Sequence, residues 1–215
     1  MRIYIDLDGT ILEPRRRIWS LFFELTHPRY IEYKYFWRLK RNGWSNERLL
    51  REIEQWSPEN FMNFHHEWMA RIESTEMLAL DRPFGYAKES LRCLSGKAEL
   101  FLLTHRQRPN GVKEQLDRWD LRQYFKEILL TEGTKPKESL ISRDEEPFHA
   151  LIVGDTGEDV RAGKSVNICT VAVWRGIRSA ATLRQYNPDH LLPHIGYVKY
   201  LLDQKTPYIN ISNEG

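Results

Sequence analysis

The sequence predicts a parallel α/β fold interrupted by an inserted bundle of helices. Three observations predict it. From about residue 83 onward, short apolar runs alternate with amphipathic helical segments, the pattern of βαβ units whose helices cover both faces of a parallel sheet. Between about 14 and 80 this alternation stops, Gly is scarce, and aromatic residues recur at a spacing of three to four, which is the period of a helix with one buried face. One apolar run precedes that helical stretch, so the sheet starts before the insert and resumes after it.

The elements follow in order. Residues 2–7 (Arg-Ile-Tyr-Ile-Asp-Leu) read as a short strand that ends in the turn signal Asp-Gly-Thr. Four helices are expected over 14–80, carrying Trp19, Phe22 and Phe23; Tyr30, Tyr33, Phe36 and Trp37; Leu49, Leu50, Ile53 and Trp56; and Phe61, Phe64, Trp68 and Ile72. Breaks fall at His27-Pro28, Asn42-Gly43 and Ser57-Pro58, the last an N-cap followed by Pro at the first helical position. No strand is expected in this stretch. Beyond it, helix 86–95 leads to strand 99–103, helix 110–119 to strand 127–130, and a short helix near 136–142 to strand 150–153. A helix near 158–164 leads to strand 170–173, helix 179–186 leads to strand 189–192, and a last helix spans about 196–203. The tail from Lys205 is polar and expected to be loose. The expected organisation is therefore a core of residues 1–13 and 83–215, with residues 14–82 inserted after the first strand. An insert at the C-terminal end of a strand sits over the crevice where open α/β sheets bind ligands.

Composition narrows the function classes. Of 215 residues, 41% are hydrophobic and 29% charged, which is ordinary soluble usage and excludes a disordered or low-complexity chain. No uninterrupted apolar run is long enough to span a bilayer, and Asp6 and Asp8 interrupt the first apolar stretch before a signal-like segment can form. A cytoplasmic protein without membrane contact is expected. Cys93 and Cys169 offer neither a disulfide framework nor zinc-ligand spacing. A net charge of only +2 gives no general case for nucleic acid. Charge is unevenly placed, however: residues 15–51 hold ten Lys/Arg against three Glu, and residues 52–81 hold seven Asp/Glu against one Arg.

Four short motifs fall at the C-terminal ends of expected strands or in the loops beyond them: Asp6-Leu7-Asp8-Gly9-Thr10, Thr104, Gly133-Thr134-Lys135-Pro136-Lys137, and Gly154-Asp155-Thr156-Gly157-Glu158-Asp159. Residues i and i+2 of a strand point the same way, so Asp6 and Asp8 leave the tip side by side, and Asp155 joins them from another tip. A lone D-x-D-G is an ordinary solvated strand end. A second acidic cluster at another tip makes a shared site the better reading. Converging carboxylates repel, and a set of oxygen ligands without His or Cys suits Mg²⁺ rather than Zn²⁺. A Thr hydroxyl and a Lys ammonium beside them suit a phosphoryl group, whose transfer is mostly positioning and charge neutralisation. A carboxylate can also attack phosphorus to give an aspartyl-phosphate.

In order and spacing these motifs resemble those of the haloacid dehalogenase superfamily over almost the whole chain, and the helical insert resembles the cap of its phosphoglycolate-phosphatase-like branch. The resemblance implies a Rossmann-like core and a phosphatase acting on a small phosphorylated metabolite. It implies that Asp6 attacks phosphorus and that Asp8 protonates the leaving oxygen, then takes a proton from water. Asp6, the Asp8 backbone carbonyl and Asp155 would bind Mg²⁺. Thr104 and the motif lysine would hold phosphoryl oxygens, with Asp159 in support. The Lys135-Pro136 signature favours Lys135, and Lys137 stands in the same loop. In this family dehalogenases lack a second acid at the position of Asp8, so its presence favours phosphate chemistry. A phosphomutase, a 5′-nucleotidase or a non-catalytic phosphometabolite-binding protein are the alternatives. The chain is expected to be a monomer or homodimer.

Other features are weaker. Ala162-Gly163-Lys164-Ser165 lacks P-loop spacing, because five residues rather than four separate Gly157 from Gly163. His65-His66-Glu67 is not a metalloprotease motif. Arg106 and Arg108, after Thr104, and Arg16, after the first motif, are the expected contacts for an anionic substrate, since guanidinium groups suit bidentate binding. The tryptophans of the insert (Trp19, Trp37, Trp44, Trp56 and Trp68) read as bundle core. Hinges are expected near Leu12–Pro14 and Leu80–Gly85.

Overall fold

A computed structural model describes residues 1–141 and 149–203; the polar tail lies outside them. Six parallel strands form one sheet: β1 (Arg2–Ile5), β4 (Glu99–Thr104), β5 (Glu127–Leu130), β6 (Ala150–Gly154), β7 (Cys169–Val173) and β8 (His190–Leu192), in the order β5-β4-β1-β6-β7-β8. In the inner strands β4, β1, β6 and β7 both alternating faces are buried, as a parallel sheet requires, while the edge strands β5 and β8 are half-buried. Ile3, Ile5, Leu100, Leu102, Leu151 and Val153 point to one side, where they meet Leu91, Leu94, Val112 and Leu116 of helices α6 (Ala87–Ser95) and α7 (Pro109–Arg118). Tyr4, Phe101, Leu103 and Ile152 point to the other, against Ala162 of α8 (Gly157–Ser165).

Strand order positions the site. The chain runs outward from β1 to β4 and β5, then returns to β6 on the opposite side of β1. That reversal is the switch point at which such sheets open a crevice. Ile5 is in register with Leu102 on one side and Val153 on the other. The next residues, Asp6, Leu103-Thr104 and Gly154-Asp155, therefore emerge at one level.

Between β1 and β4 the chain forms helices α1 (Arg15–Thr26), α2 (Tyr33–Arg41), α3 (Asn46–Glu52), α4 (Pro58–Arg71) and the single turn α5 (Thr75–Leu78). Ser45, Ser57 and Ser74 cap three of them, each accepting a backbone N–H with its side chain. Phe22, Phe36, Trp37, Leu49, Leu50 and Phe64 make a separate apolar core, and Trp19, Trp44, Trp56 and Trp68 pack against it. Residues 14–80 hold no strand, as expected, but a strand flanks the stretch on each side. Leu12–Glu13 (β2) pairs antiparallel with Arg82–Pro83 (β3), so the two expected hinge segments form a small ribbon. Two-residue strands carry no readable hydrophobic period, which is why the sequence does not reveal them. No helix among the described residues is long and apolar enough to cross a membrane.

Candidate active site

The site is built on the tips of β1, β4 and β6 and on the loop after β5. Asp6 follows β1, Thr104 ends β4, and Asp155 follows β6; all are buried. Lys137 opens a 3-10 turn at Lys137–Leu140. Its ammonium donates to Asp6 Oδ1 at 2.6 Å and to Asp159 Oδ1 at 2.6 Å. Asp159 lies in the first turn of α8, and its Oδ2 accepts the Thr156 N–H at 3.1 Å and the Thr156 hydroxyl at 2.7 Å. Two hydrogen bonds therefore fix the carboxylate that fixes the lysine. Thr104 Oγ1 accepts the Arg106 N–H at 3.4 Å, which leaves the hydroxyl hydrogen to donate.

Close backbone approach is needed to bring these groups together. Gly9 has φ +90°, and a Cβ there would collide with the Asp155 carboxylate. Only glycine combines this backbone conformation with that clearance. A Cβ on Gly154 would likewise strike Asp159.

Burial dominates the electrostatics. It pushes the Asp6 carboxyl up to about 7, against the pull of Lys137 and with a further push from Asp159. It raises Asp155 well above the usual carboxylate range, helped by Asp6 and Asp159. Burial alone would lower the Lys137 ammonium, but Asp159 and Asp6 outweigh it and raise its pKa. One cation among three buried carboxylates leaves negative charge uncompensated.

The donor set fits a hard divalent cation. Asp6, Asp155 and Asp159 each bring a carboxylate oxygen within 4.8 Å of the others. Asp155 Oδ2 accepts the Ile177 N–H at 2.5 Å, while its Oδ1 is buried and takes no hydrogen bond among the described residues. With Asp159 engaged by Lys137 and Thr156, Asp6 and Asp155 are the side chains best placed to hold such an ion.

Asp8 faces a different environment. Its Oδ1 accepts from Arg17 at 2.7 Å and from Arg106 at 2.8 Å, and its Oδ2 accepts Arg106 Nε–H at 2.6 Å. Burial would raise its pKa, but Arg106 and Arg17 together hold it well below the usual carboxylate range.

Two expectations, for Lys135 and for Arg106, are corrected by this geometry. Lys135, favoured as the site lysine, is exposed and pairs with Glu132 at 3.7 Å; Lys137, two residues on, is the one that reaches the carboxylates. Arg16 is exposed, and its neighbour Arg17 is the buried arginine. A helix turns about 100° per residue, so adjacent arginines face different ways. Arg106 is buried against Asp8 rather than presented to a substrate. Arg108 is exposed, and its guanidinium donates to the Ala70 carbonyl at 3.1 Å. Sequence reasoning placed Arg17 with Arg15 and Arg16 as a candidate for an anionic group, did not pair it with Asp8, and missed Asp81. A signal for Arg17 existed, since it stands four residues before buried Leu21, on the same helix face. Nothing in the sequence singles out Asp81.

A parallel sheet whose central tips gather carboxylates around one buried lysine is the core of a hydrolase class, and the comparisons agree. The model of the haloacid dehalogenase-like hydrolases matches residues 3–173, and the chain belongs to that family. Among solved structures, a haloacid dehalogenase-like hydrolase from Streptococcus pneumoniae is 18% identical with TM-score 0.77, over 94% of this chain and 98% of that one. A protein from Clostridium difficile, whose name proposes a phosphatase, is 17% identical with TM-score 0.77, over 94% and 97%. A predicted phosphoglycolate phosphatase from Haemophilus somnus is 17% identical with TM-score 0.64, over 93% and 96%. At such identities the likeness is one of fold. No curated protein matches the chain.

Proposed function

We propose that this protein is a Mg²⁺-dependent phosphatase that hydrolyses a small phosphomonoester through an aspartyl-phosphate on Asp6. The observation that carries the reading is the buried Lys137 ammonium bridging Asp6 and Asp159, with Asp155 completing the acidic cluster. A phosphoryl group attached to Asp6 would lie beside that ammonium and near the Thr104 hydroxyl. Both would neutralise charge on its oxygens as it transfers.

Asp6 Oδ attacks phosphorus, and the bond to the leaving oxygen breaks with its electron pair on that oxygen, which takes a proton from solvent by way of the Asp8 carboxylate. Water then attacks the same phosphorus and gives a proton to Asp8. The P–O bond to Asp6 breaks, which frees the carboxylate and releases inorganic phosphate. Mg²⁺, held by Asp6, Asp155 and the Asp8 backbone carbonyl, would supply positive charge to offset that of the carboxylates and the phosphoryl oxygens. Asp159 keeps Lys137 aimed at Asp6. Residues 14–82 act as a cap that excludes bulk water and selects the substrate, a small phosphorylated metabolite of the cytoplasm.

The test is hydrolysis of an aryl phosphate by wild type and Asp6→Asn, each with Mg²⁺ or with EDTA. The reading expects turnover only for wild type with Mg²⁺. Equal turnover by Asp6→Asn would overturn it.

A further inference from the structure

The carboxylate of Asp8 is not held by its own strand. Two guanidinium groups hold it, and a second carboxylate holds them. Arg17 donates from Nε to Asp81 at 3.0 Å, from Nη1 to the Ile72 carbonyl at 3.2 Å and from Nη2 to Asp8 at 2.7 Å. Arg106 binds Asp8 through Nε and Nη2, and the same Nη2 lies 3.2 Å from Asp81. Asp81 is fully buried and is further bound by the Gln115 amide at 3.0 Å. Two cations and two anions form a closed, charge-balanced square, built of short charge-assisted bonds that resist rotation of either guanidinium. One corner of the square differs from the others: the side chain of Asp8 is 24% exposed, against 4% or less for Arg17, Arg106 and Asp81. The square therefore opens toward the site only at Asp8. There Oδ2 accepts a single N–H and keeps a lone pair for water.

We propose that Arg17, Arg106 and Asp81 are positioning residues that hold the Asp8 carboxylate where it takes a proton from the water that hydrolyses the aspartyl-phosphate. This deepens the phosphatase reading and rests on it. It also gives the helical insert a part in the chemistry, because Arg17 belongs to α1. Lys137 serves the first half of the reaction by orienting Asp6 and the phosphoryl group; the square serves the second. Gln115, which donates to Asp81 and to the Leu78 carbonyl at 2.9 Å, ties the square to α7.

Hydrolysis of 2,4-dinitrophenyl phosphate separates the two halves, since that leaving group departs without a proton. The kcat/KM value then reports phosphorylation of Asp6, and kcat reports breakdown of the phosphoenzyme. Two variants are compared with wild type: Arg17→Lys, which keeps the charge but loses the fork, and the charge-balanced double variant Arg17→Met/Asp81→Asn. Both are checked for fold by circular dichroism. The expected result is a burst of dinitrophenolate stoichiometric with enzyme, then a steady rate about 100-fold slower than wild type, as displaced bases commonly show, with kcat/KM changed by less than about threefold. Glu73→Gln is the control: Glu73 joins the same junction by accepting the Gln107 and Arg108 backbone N–H groups at 2.9 Å but lies outside the square. It should show no such split. A parallel fall of kcat and kcat/KM in Arg17→Lys and the double variant, or no fall in either, would overturn the proposal while leaving the phosphatase reading intact. Absence of Mg²⁺-dependent turnover in wild type would overturn both.

Discussion

Lys137 and Asp6, 131 residues apart in sequence, meet at 2.6 Å beneath the sheet's central strand tip. Both are almost fully buried; Lys137 is the main compensation for Asp6, while Asp159 and then Asp6 compensate Lys137. Removing one partner of such a pair commonly costs ~3–5 kcal/mol, because the remaining charge is stranded. Lys137→Ala should therefore lower stability by that order in urea unfolding and, on the proposed reading, reduce aryl phosphate turnover by about 100- to 1,000-fold, since it removes a charge beside the transferring phosphoryl group. Lys135→Ala should change stability by less than ~0.5 kcal/mol, as exposed pairs do, and leave kcat unaltered.

Gly154 precedes Asp155 and lies against Asp159. A methyl group there would push Asp159 away, and with it the ammonium of Lys137. Misplacing a catalytic group by about 1 Å can cost ~100-fold in rate. Gly154→Ala should lose activity on that scale. A structure of the variant should show a longer Lys137–Asp159 contact.

The proposed Mg²⁺ site carries a stability signature that can be measured. Mg²⁺ at about 100 times its Kd should stabilise the wild-type fold by ~2.7 kcal/mol, measured as a rise in Tm that EDTA reverses. Asp155→Asn should abolish the Mg²⁺-dependent rise. An equal rise in that variant would place the ion elsewhere.

Lys40, near the end of α2, carries a pH signature of its own. Burial, then the nearby Arg178, lowers its pKa from 10.5 to about 7, while its Nζ donates to Asn46 at 3.0 Å. Below about pH 7 the amine is charged in both folded and unfolded states and contributes no slope. Between about 7 and 10.5 the unfolded chain binds the extra proton, so stability rises with pH by up to ~1.4 kcal/mol per unit. Urea unfolding of wild type minus Lys40→Met should show this rise above neutrality. A flat difference from pH 7 to 10 would contradict the shift.

How much of this was legible in the sequence follows from what each feature depends on. Strands such as Leu100–Leu103 and Leu151–Val153 declare themselves because a parallel sheet buries both faces and leaves an unbroken apolar run. The cluster at the strand tips was legible for the same reason: the ends of those runs are where Asp6, Thr104 and Asp155 stand. The choice between Lys135 and Lys137 was not, because it depends on how the chain turns after Thr131. There the backbone N–H groups of Thr134 and Lys135 both bond to the Thr131 carbonyl, closing a turn that leaves Lys135 outside and sends Lys137 inward. Arg17, Asp81 and Arg106 were illegible as a group, since their partnership is made across the junction of insert and core and leaves no local pattern.

The central claim is that Asp6 carries the phosphoryl group. Wild-type enzyme should be mixed with dinitrophenyl phosphate and Mg²⁺, quenched in acid within the first turnover, reduced with borohydride, and mapped by peptide mass spectrometry. Borohydride converts an aspartyl-phosphate to homoserine, so the account predicts homoserine at position 6 and at no other aspartate. Homoserine at position 8 or 155, or none in a sample that is releasing dinitrophenolate, would contradict it.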